Sequence, residues 1–189
     1  MCLLRKCDRP GKWKAGETAS HKGCSVIFKS KCHVDANLMH DLTTGGSMTG
    51  TLHFVNKTPL EWFSKKQATS ETAAHGSEFV AARTCGEQLI DMRTTFRCLG
   101  VPIIGHSHVF GDNESVVNSS MKRDSRLHKR HVALSFHRVR ESIAARITRF
   151  FHIPGKINPA DMLTKAVGWV LHSRGCRFLM GHLGFSPSS

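Results

Sequence analysis

Apolar and polar positions follow no period in residues 1–30, which are polar, basic and interrupted by Pro10 and several glycines. This texture predicts a disordered tail or linker. From residue 31 the pattern changes: residues 32–36 predict a short strand, and loose alternation over residues 47–55 predicts a second. Asn56-Lys57 is typical of a tight turn, so residues 58–64 are expected to return as the hairpin partner.

A long helix is predicted next. Its apolar positions recur close to the 3.6-residue helical period at Phe79, Ala82, Leu89, Ile90 and Phe96. Ser70 or Thr72 offers an N-terminal cap, and Gly100 with Pro102 is expected to end the helix.

The remaining pattern predicts two more strands with helices between them. Residues 101–110 and 146–153 predict the fourth and fifth strands. Residues 114–121 and 131–145 predict the intervening helices. Asn158 followed by Pro159 is the usual entry chemistry of a last helix.

The order of these elements predicts the fold class, since three strands are followed by a helix, a strand, helices, a strand and a helix. That order is typical of an α/β fold with a mixed five-stranded sheet flanked by helices. The chain has 189 residues, enough for one domain with a real core. We predict that the domain occupies residues 31–168, between the tail at residues 1–30 and a loosely structured tail at residues 169–189.

The formal net charge of +13 narrows the choice of partner. A field of this sign favours polyanions. No apolar run approaches the roughly 18 residues that a membrane span requires, so nucleic acid is favoured over a membrane. The positive charge concentrates in residues 121–149, which hold nine Lys or Arg against two acidic residues.

Seven basic residues of this segment are predicted to contact nucleic-acid phosphates: Lys122, Arg123, Arg126, Lys129, Arg130, Arg138 and Arg140. On a helix, Arg126, Lys129, Arg130 and His137 would share one face. Phosphate contacts give salt-dependent affinity and carry little sequence information. The alternative is a solvated helical face in a basic protein.

The seven cysteines favour free thiols over a disulfide framework, because the count is odd and the chain is not short. The first five residues have too brief an apolar run for a secretory signal. An intracellular protein, cytoplasmic or nuclear and not secreted, is therefore expected. A zinc-bound interaction domain remains an alternative, but the ligands it would need have unequal gaps: Cys2, Cys7, Cys24 and Cys32.

Four of the 14 acidic residues lie where a nuclease built on a mixed sheet needs them: Asp35 on the first strand, Glu78 in the long helix, Asp112 after the fourth strand and Asp161 in the last helix. Hard divalent ions prefer oxygen ligands, and two ions can stabilise both oxygens of an in-line displacement at phosphorus. Each acid alone also has a structural explanation, in a turn or near a helix dipole. The pattern by itself is therefore a weak signal.

Seven short segments sharpen that signal by their order along the chain: VDA at 34–36, SMTG at 47–50, WFSKKQ at 62–67, SEFVAA at 77–82, GDNESV at 111–116, HRVRE at 137–141 and NPADMLTK at 158–165. In this order they resemble the ribonuclease H domain of copia-type retrotransposon polyproteins.

The resemblance implies a ribonuclease H-like fold and a metal-dependent endonuclease that cuts the RNA strand of RNA–DNA hybrids. It places the family's acidic metal ligands on Asp35, Glu78, Asp112 and Asp161, for two Mg²⁺ ions with Mn²⁺ as an alternative. A full polyprotein is longer than this chain, so a fragment is expected, with a reverse transcriptase domain as a further partner. The alternative is a catalytically silent, nucleic-acid-binding remnant of the same domain.

Two positions depart from the family pattern. Gly45-Gly46 stands where a basic residue is expected, which puts one substrate contact in doubt. Many cellular ribonucleases H also place a histidine before the last Asp, and here only His152 and Lys156 are near that place. Strand alternation already explains His152, so we do not assign it a catalytic role.

Overall fold

A computed structural model describes residues 28–41, 43, 45–68, 73–101, 103–126, 130–165, 172–173, 175–177 and 179. Its strands form one sheet: β1 (Ser30–Asp41), β2 (Gly46–Val55), β3 (Thr58–Lys66), β4 (Ser107–Gly111) and β5 (Thr148–His152). The strand order is β3-β2-β1-β4-β5. The first three strands pair antiparallel, whereas β1, β4 and β5 pair parallel. This confirms the predicted mixed five-stranded sheet.

Helices cover one face of this sheet: α1 (Ala74–Cys98), α2 (Glu114–Met121) and α3 (Ala133–Ala144). The rings of Phe79 on α1 and Phe136 on α3 meet edge to face, with centroids 5.5 Å apart. Together with buried side chains of β1, β4 and β5, they form the hydrophobic core. None of the helices in the described part of the chain is long and apolar enough to cross a membrane.

The end of α1 shows why the helix stops where the sequence predicts. Gly100 has a φ of +74°, which is favourable for glycine. Its N–H donates to the carbonyl of Arg97 at 3.0 Å, and the N–H of Val101 donates to that of Phe96 at 2.9 Å. This glycine-capped arrangement satisfies the last carbonyls of the helix. At the other end of α1, Ala73 occupies the N-cap position, so no side chain caps the helix there. The residues predicted to cap it, Ser70 and Thr72, lie outside the described residues.

Strand boundaries differ from prediction mainly in β1 and β4. β1 begins at Ser30, inside the predicted tail, and continues to Asp41, beyond the predicted end at residue 36. Phe28 forms a parallel bridge with Ile103. β4 spans only Ser107–Gly111, not residues 101–110, because Gly105 has a φ of +75° and breaks the extended backbone before the strand begins.

The opposite face of the sheet is covered in part by a 3₁₀ helix, Pro159–Leu163, where the sequence predicts the last helix. The side chain of Asn158 accepts from the N–H of Ala160 at 3.2 Å, so the predicted cap is confirmed. The Asn158 amide also donates to the carbonyl of Val34 at 2.9 Å. One buried side chain therefore starts this helix and attaches it to β1.

Candidate active site

Asp35 is fixed by strand pairing and by a distant hydroxyl. It faces Gly50 in the antiparallel register of β1 and β2. A Cβ at Gly50 would lie 2.7 Å from the methyl carbon of Thr164, so glycine allows the 3₁₀ helix to pack here. The hydroxyl of Thr164 donates a hydrogen bond to Oδ2 of Asp35, whose side chain is 1% exposed. The 3₁₀ helix thus closes over this carboxylate.

Glu78 is placed by the attachment of α1 to the sheet. The side-chain amide of Gln67 donates to the hydroxyl of Thr49 and to the carbonyl of Ser77, both at 2.9 Å. This bridge holds the first turns of α1 against β2. Glu78 is consequently buried, and a backbone hydrogen bond from Ala36 of β1 reaches its carboxylate.

The parallel pairing of β4 with β1 positions Asp112 beside Asp35. His33 is level with Phe110, so continuing the register brings Asp112 level with Asp35. Gly155 allows close packing, because a Cβ there would lie 3.0 Å from an oxygen of the Asp112 carboxylate. A ring nitrogen of His152 lies 3.1 Å from the backbone oxygen of Asp112. His152 thus lies beside Asp112, in β5 as predicted.

The structure brings three of the four predicted acids together. Asp35, Glu78 and Asp112 each offer a carboxylate oxygen within 4.8 Å of the other two. We call these three residues the carboxylate cluster. Asp161, on the 3₁₀ helix, lies outside this group and forms an ion pair with Lys165. It is still near enough to raise the pKa of Asp35.

The cluster holds its negative charge poorly without a cation. Burial is the main cause that raises the pKa of Glu78 to about 9, and the charges of Asp35 and Asp112 add to it. Burial also raises the pKa of Asp35, although the hydrogen bond from Thr164 opposes this change. Carboxyls so perturbed, gathered at one place, are typical of functional sites.

Lys165 compensates part of the negative charge of these acids. Burial lowers its pKa, but the hydrogen bond with Asp161 and the charges of Asp35 and Asp112 outweigh that effect and raise it. The ammonium group therefore stays protonated beside the acids. It also lowers the pKa of Asp35 and of Glu78, so it offsets part of the negative charge of the carboxylate cluster.

The donor set fits a hard divalent cation. All donors are carboxylate oxygens, which Mg²⁺ and Mn²⁺ prefer, and Asp112 is only partly buried. A divalent ion would offset the repulsion that raises the pKa of Glu78. Asp161 could join as a ligand if its ion pair with Lys165 opened.

The predicted basic surface is only partly described. The side chains of Lys122, Arg123 and Arg126 are exposed and line an open depression beside the end of α2. Lys129 lies outside the described residues. Arg126 belongs to no helix and Arg130 begins a 3₁₀ turn, so the prediction that these residues share one helical face with His137 is wrong.

Arg138 and Arg140 are engaged within the protein. Arg138 pairs with Glu141 at 2.8 Å on the exposed surface of α3. The guanidinium of Arg140 donates to the carbonyls of Ser119, Lys122 and Arg123 at 2.7–3.1 Å. Arg140 therefore holds residues 119–123 against α3, and its predicted contact with nucleic acid stays a prediction.

Sequence reasoning assigned no role to the residues that hold the acids in place. Gln67, Thr164 and Lys165 all lie within the family-like segments. Their only sequence signal was membership of those segments, because a hydrogen bond between residues 129 positions apart, as from Thr164 to Asp35, leaves no local pattern.

Comparison with known proteins gives one related sequence and several similar folds. No protein-family model matches the chain. The chain is 26% identical to the retrovirus-related Pol polyprotein from transposon TNT 1-94 of tobacco (Nicotiana tabacum). The match covers 87% of this chain and 13% of the polyprotein, so the chain spans about an eighth of that relative.

Two solved structures illustrate the fold. One is LC11-RNase H1, isolated from compost by a metagenomic approach and solved in complex with an RNA/DNA hybrid. It has a TM-score of 0.55 and 20% identity, over 72% of this chain and 94% of that one. The other is the foamy viral protease-reverse transcriptase, also with an RNA/DNA hybrid, with a TM-score of 0.55 and 13% identity over 86% of this chain and 22% of that one.

These similarities agree with the topology of the sheet and with the order of the family-like segments. The chain therefore has a ribonuclease H fold and is related to retrotransposon Pol polyproteins, as the resemblance of its motifs predicted.

Proposed function

We propose that this chain is a divalent-metal-dependent endonuclease that cuts the RNA strand of RNA–DNA hybrids. The observation that carries the proposal is the carboxylate cluster, in which acids from β1, α1 and the end of β4 lie within 4.8 Å of one another. Acids repel one another, so a protein has little structural reason to gather and bury them. Binding of cations is the simplest physical reason for this arrangement.

Asp35, Glu78 and Asp112 would hold the ions, with Asp161 completing the set after release from Lys165. Bound Mg²⁺ or Mn²⁺ would lower the pKa of a coordinated water and offset the charge on the attacking and leaving oxygens. Thr164 orients Asp35 by its hydrogen bond, and Gln67 keeps Glu78 at the end of the sheet. Both groups position ligands without touching the substrate.

The exposed side chains of Lys122, Arg123 and Arg126 would bind the phosphate backbone of the hybrid. Such contacts supply affinity without reading bases. Selection of a hybrid over duplex DNA would depend on 2′-hydroxyl contacts and on groove shape. RNA/DNA hybrids are present in the two solved complexes of similar fold, which supports this choice of substrate.

A labelled RNA–DNA hybrid tests the proposal directly. The full chain should cut the RNA strand when Mg²⁺ or Mn²⁺ is added and should stop cutting when EDTA removes the metal. The Asp112→Asn variant should bind the hybrid but not cut it. Cutting that survives Asp112→Asn contradicts the mechanism, and hybrid binding without metal-dependent cutting favours the silent remnant instead.

A reverse transcriptase domain is the proposed physical partner. The tobacco relative is a Pol polyprotein, and the foamy viral neighbour is a reverse transcriptase. We accordingly propose that the chain acts inside the cell, in the cytoplasm or the nucleus.

A further inference from the structure

A second cluster of potential metal ligands lies in the core, on the helix-covered face of the sheet. Cys32 on β1, His53 on β2 and Cys85 on α1 each offer a ligand atom within 4.8 Å of the other two, and all three are 0% exposed. We call these residues the sulfur cluster. Cys32 and Asp35 are three positions apart on β1, so their side chains point to opposite faces. The sulfur cluster is therefore separate from the carboxylate cluster.

The pairing of β1 with β2 and the packing of α1 bring these three side chains together. Cys32 and His53 are direct partners in the antiparallel pairing of β1 and β2, so their side chains lie on the same face. α1 packs on that face and brings Cys85, with Gln88 one turn further along the helix. The Gln88 side-chain oxygen lies 2.9 Å from Nε2 of His53, within hydrogen-bond distance. The sulfur of Cys32 lies near the same nitrogen atom.

We propose that the sulfur cluster binds one Zn²⁺ ion as a structural site, with Cys32, Cys85 and His53 as ligands and the side-chain oxygen of Gln88 as the fourth donor. Two thiolates and an imidazole are donors that closed zinc sites use, and the amide oxygen of Gln88 would take the fourth position. The charge also balances, because two thiolates neutralise one Zn²⁺. A neutral complex can be fully buried without the large desolvation cost of a net charge.

The distances suit this ion with a small adjustment. With Zn–S near 2.3 Å and Zn–N near 2.0 Å, a tetrahedral site separates sulfur and nitrogen by roughly 3.6 Å. Sγ of Cys32 lies 3.7 Å from Nε2 of His53. The two sulfurs lie 2.9 Å apart and would separate to roughly 3.8 Å around the ion.

The imidazole favours a metal over a disulfide between the two cysteines. A disulfide would use Cys32 and Cys85 alone, whereas a metal ion would use all three side chains. Nε2 of His53 faces both the Cys32 sulfur and the side-chain oxygen of Gln88, so it is the ring nitrogen placed to bind the ion.

Zinc content of the purified full chain tests the proposal. We expect about one tightly held zinc ion per chain after dialysis, and absorption from thiolate-to-metal charge transfer when Co²⁺ replaces it. X-ray absorption at the zinc edge should show two sulfur and two nitrogen or oxygen neighbours. Absence of bound metal, four sulfur neighbours, or a mass two hydrogens lower from a Cys32–Cys85 disulfide would each overturn the proposal.

Variants assign the ion to these residues. A chain with Cys2, Cys7 and Cys24 all replaced by Ser should keep its zinc, and so should the control Cys98→Ala, because Cys98 is an exposed free thiol. Cys85→Ala should lose the zinc, and its retention there would overturn the assignment. If Cys85→Ala fails to fold, the number of sulfur neighbours that X-ray absorption finds around zinc in the unaltered chain still tests the proposal.

Discussion

The carboxylate cluster and the sulfur cluster share β1 and α1, yet they differ in donor type and in access. Asp35 and Cys32 lie three residues apart on one strand, and Glu78 and Cys85 lie seven residues apart on one helix. Asp112 leaves the carboxylate cluster partly open, whereas every member of the sulfur cluster is fully buried. Catalytic metal sites keep an open position and structural sites are closed. The same scaffold thus separates a site suited to chemistry from one suited to stability.

The largest expected effect is that of Glu78→Gln, which changes the carboxylate cluster and leaves the sulfur cluster unaltered. This change should reduce Mg²⁺-dependent hybrid cleavage by roughly a thousand-fold, because a metal ligand is removed and metal stabilisation is worth several kcal/mol. It should also raise the free energy of unfolding in EDTA near neutral pH, since an amide avoids the cost of protonating the buried Glu78 carboxyl on folding. Cleavage rates and thermal unfolding measure the two effects. A variant that loses stability and keeps its activity would show that Glu78 stabilises the fold and does not bind the catalytic metal.

A smaller effect is expected from the hydroxyl that orients Asp35. Thr164→Val should weaken Mg²⁺ binding or activity by about 10- to 100-fold, the usual consequence of removing such a supporting hydrogen bond. The Mg²⁺ dependence of cleavage measures it. Thr94→Val is the matched control, because the Thr94 hydroxyl donates to the carbonyl of Ile90 within α1 at an exposed site. Equal loss in both variants would mean that Thr164 supports the fold and not the metal ligand.

The basic segment should contribute affinity and no catalysis. Replacing Lys122, Arg123 and Arg126 together by Ala should reduce the slope of log affinity against log salt by about three, one for each phosphate that is no longer neutralised. Hybrid binding at several salt concentrations measures the slope. Lys57→Ala removes one exposed charge in the β2–β3 turn as a control. An unchanged slope in the triple variant would assign the segment to a solvated surface.

A pH dependence of stability is expected in the metal-free chain. The pKa of Glu78 is raised from 4.5 to about 9 by folding, so the folded state binds more protons than the unfolded state between these values. Its contribution to stability is complete below about pH 4.5 and is lost as pH rises towards 9. Unfolding midpoints in EDTA should therefore fall over this range, less steeply in Glu78→Gln. A rise in stability over this range would contradict the burial of an unpaired Glu78.

Several elements could be predicted from the sequence because residues close together along the chain determine where they begin, turn or end. Gly100 ends α1, Asn56-Lys57 turns β2 into β3, and Asn158 caps the 3₁₀ helix, as predicted. The predicted β4 was too long, because the positive φ of Gly105 depends on the path from α1 back to the sheet. The shared helical face for Arg126 and Arg130 was wrong, since basic residues suit a solvated loop as well as a helix.

The sequence by itself determined the order of elements, the basic charge and the four candidate acids, since each is written in residue type and spacing. The tertiary structure decided that Asp35, Glu78 and Asp112 meet while Asp161 pairs with Lys165. It alone decided that Cys32, His53 and Cys85 share one buried space. Strand register and helix packing join residues that are distant along the chain, and local sequence carries no record of such contacts.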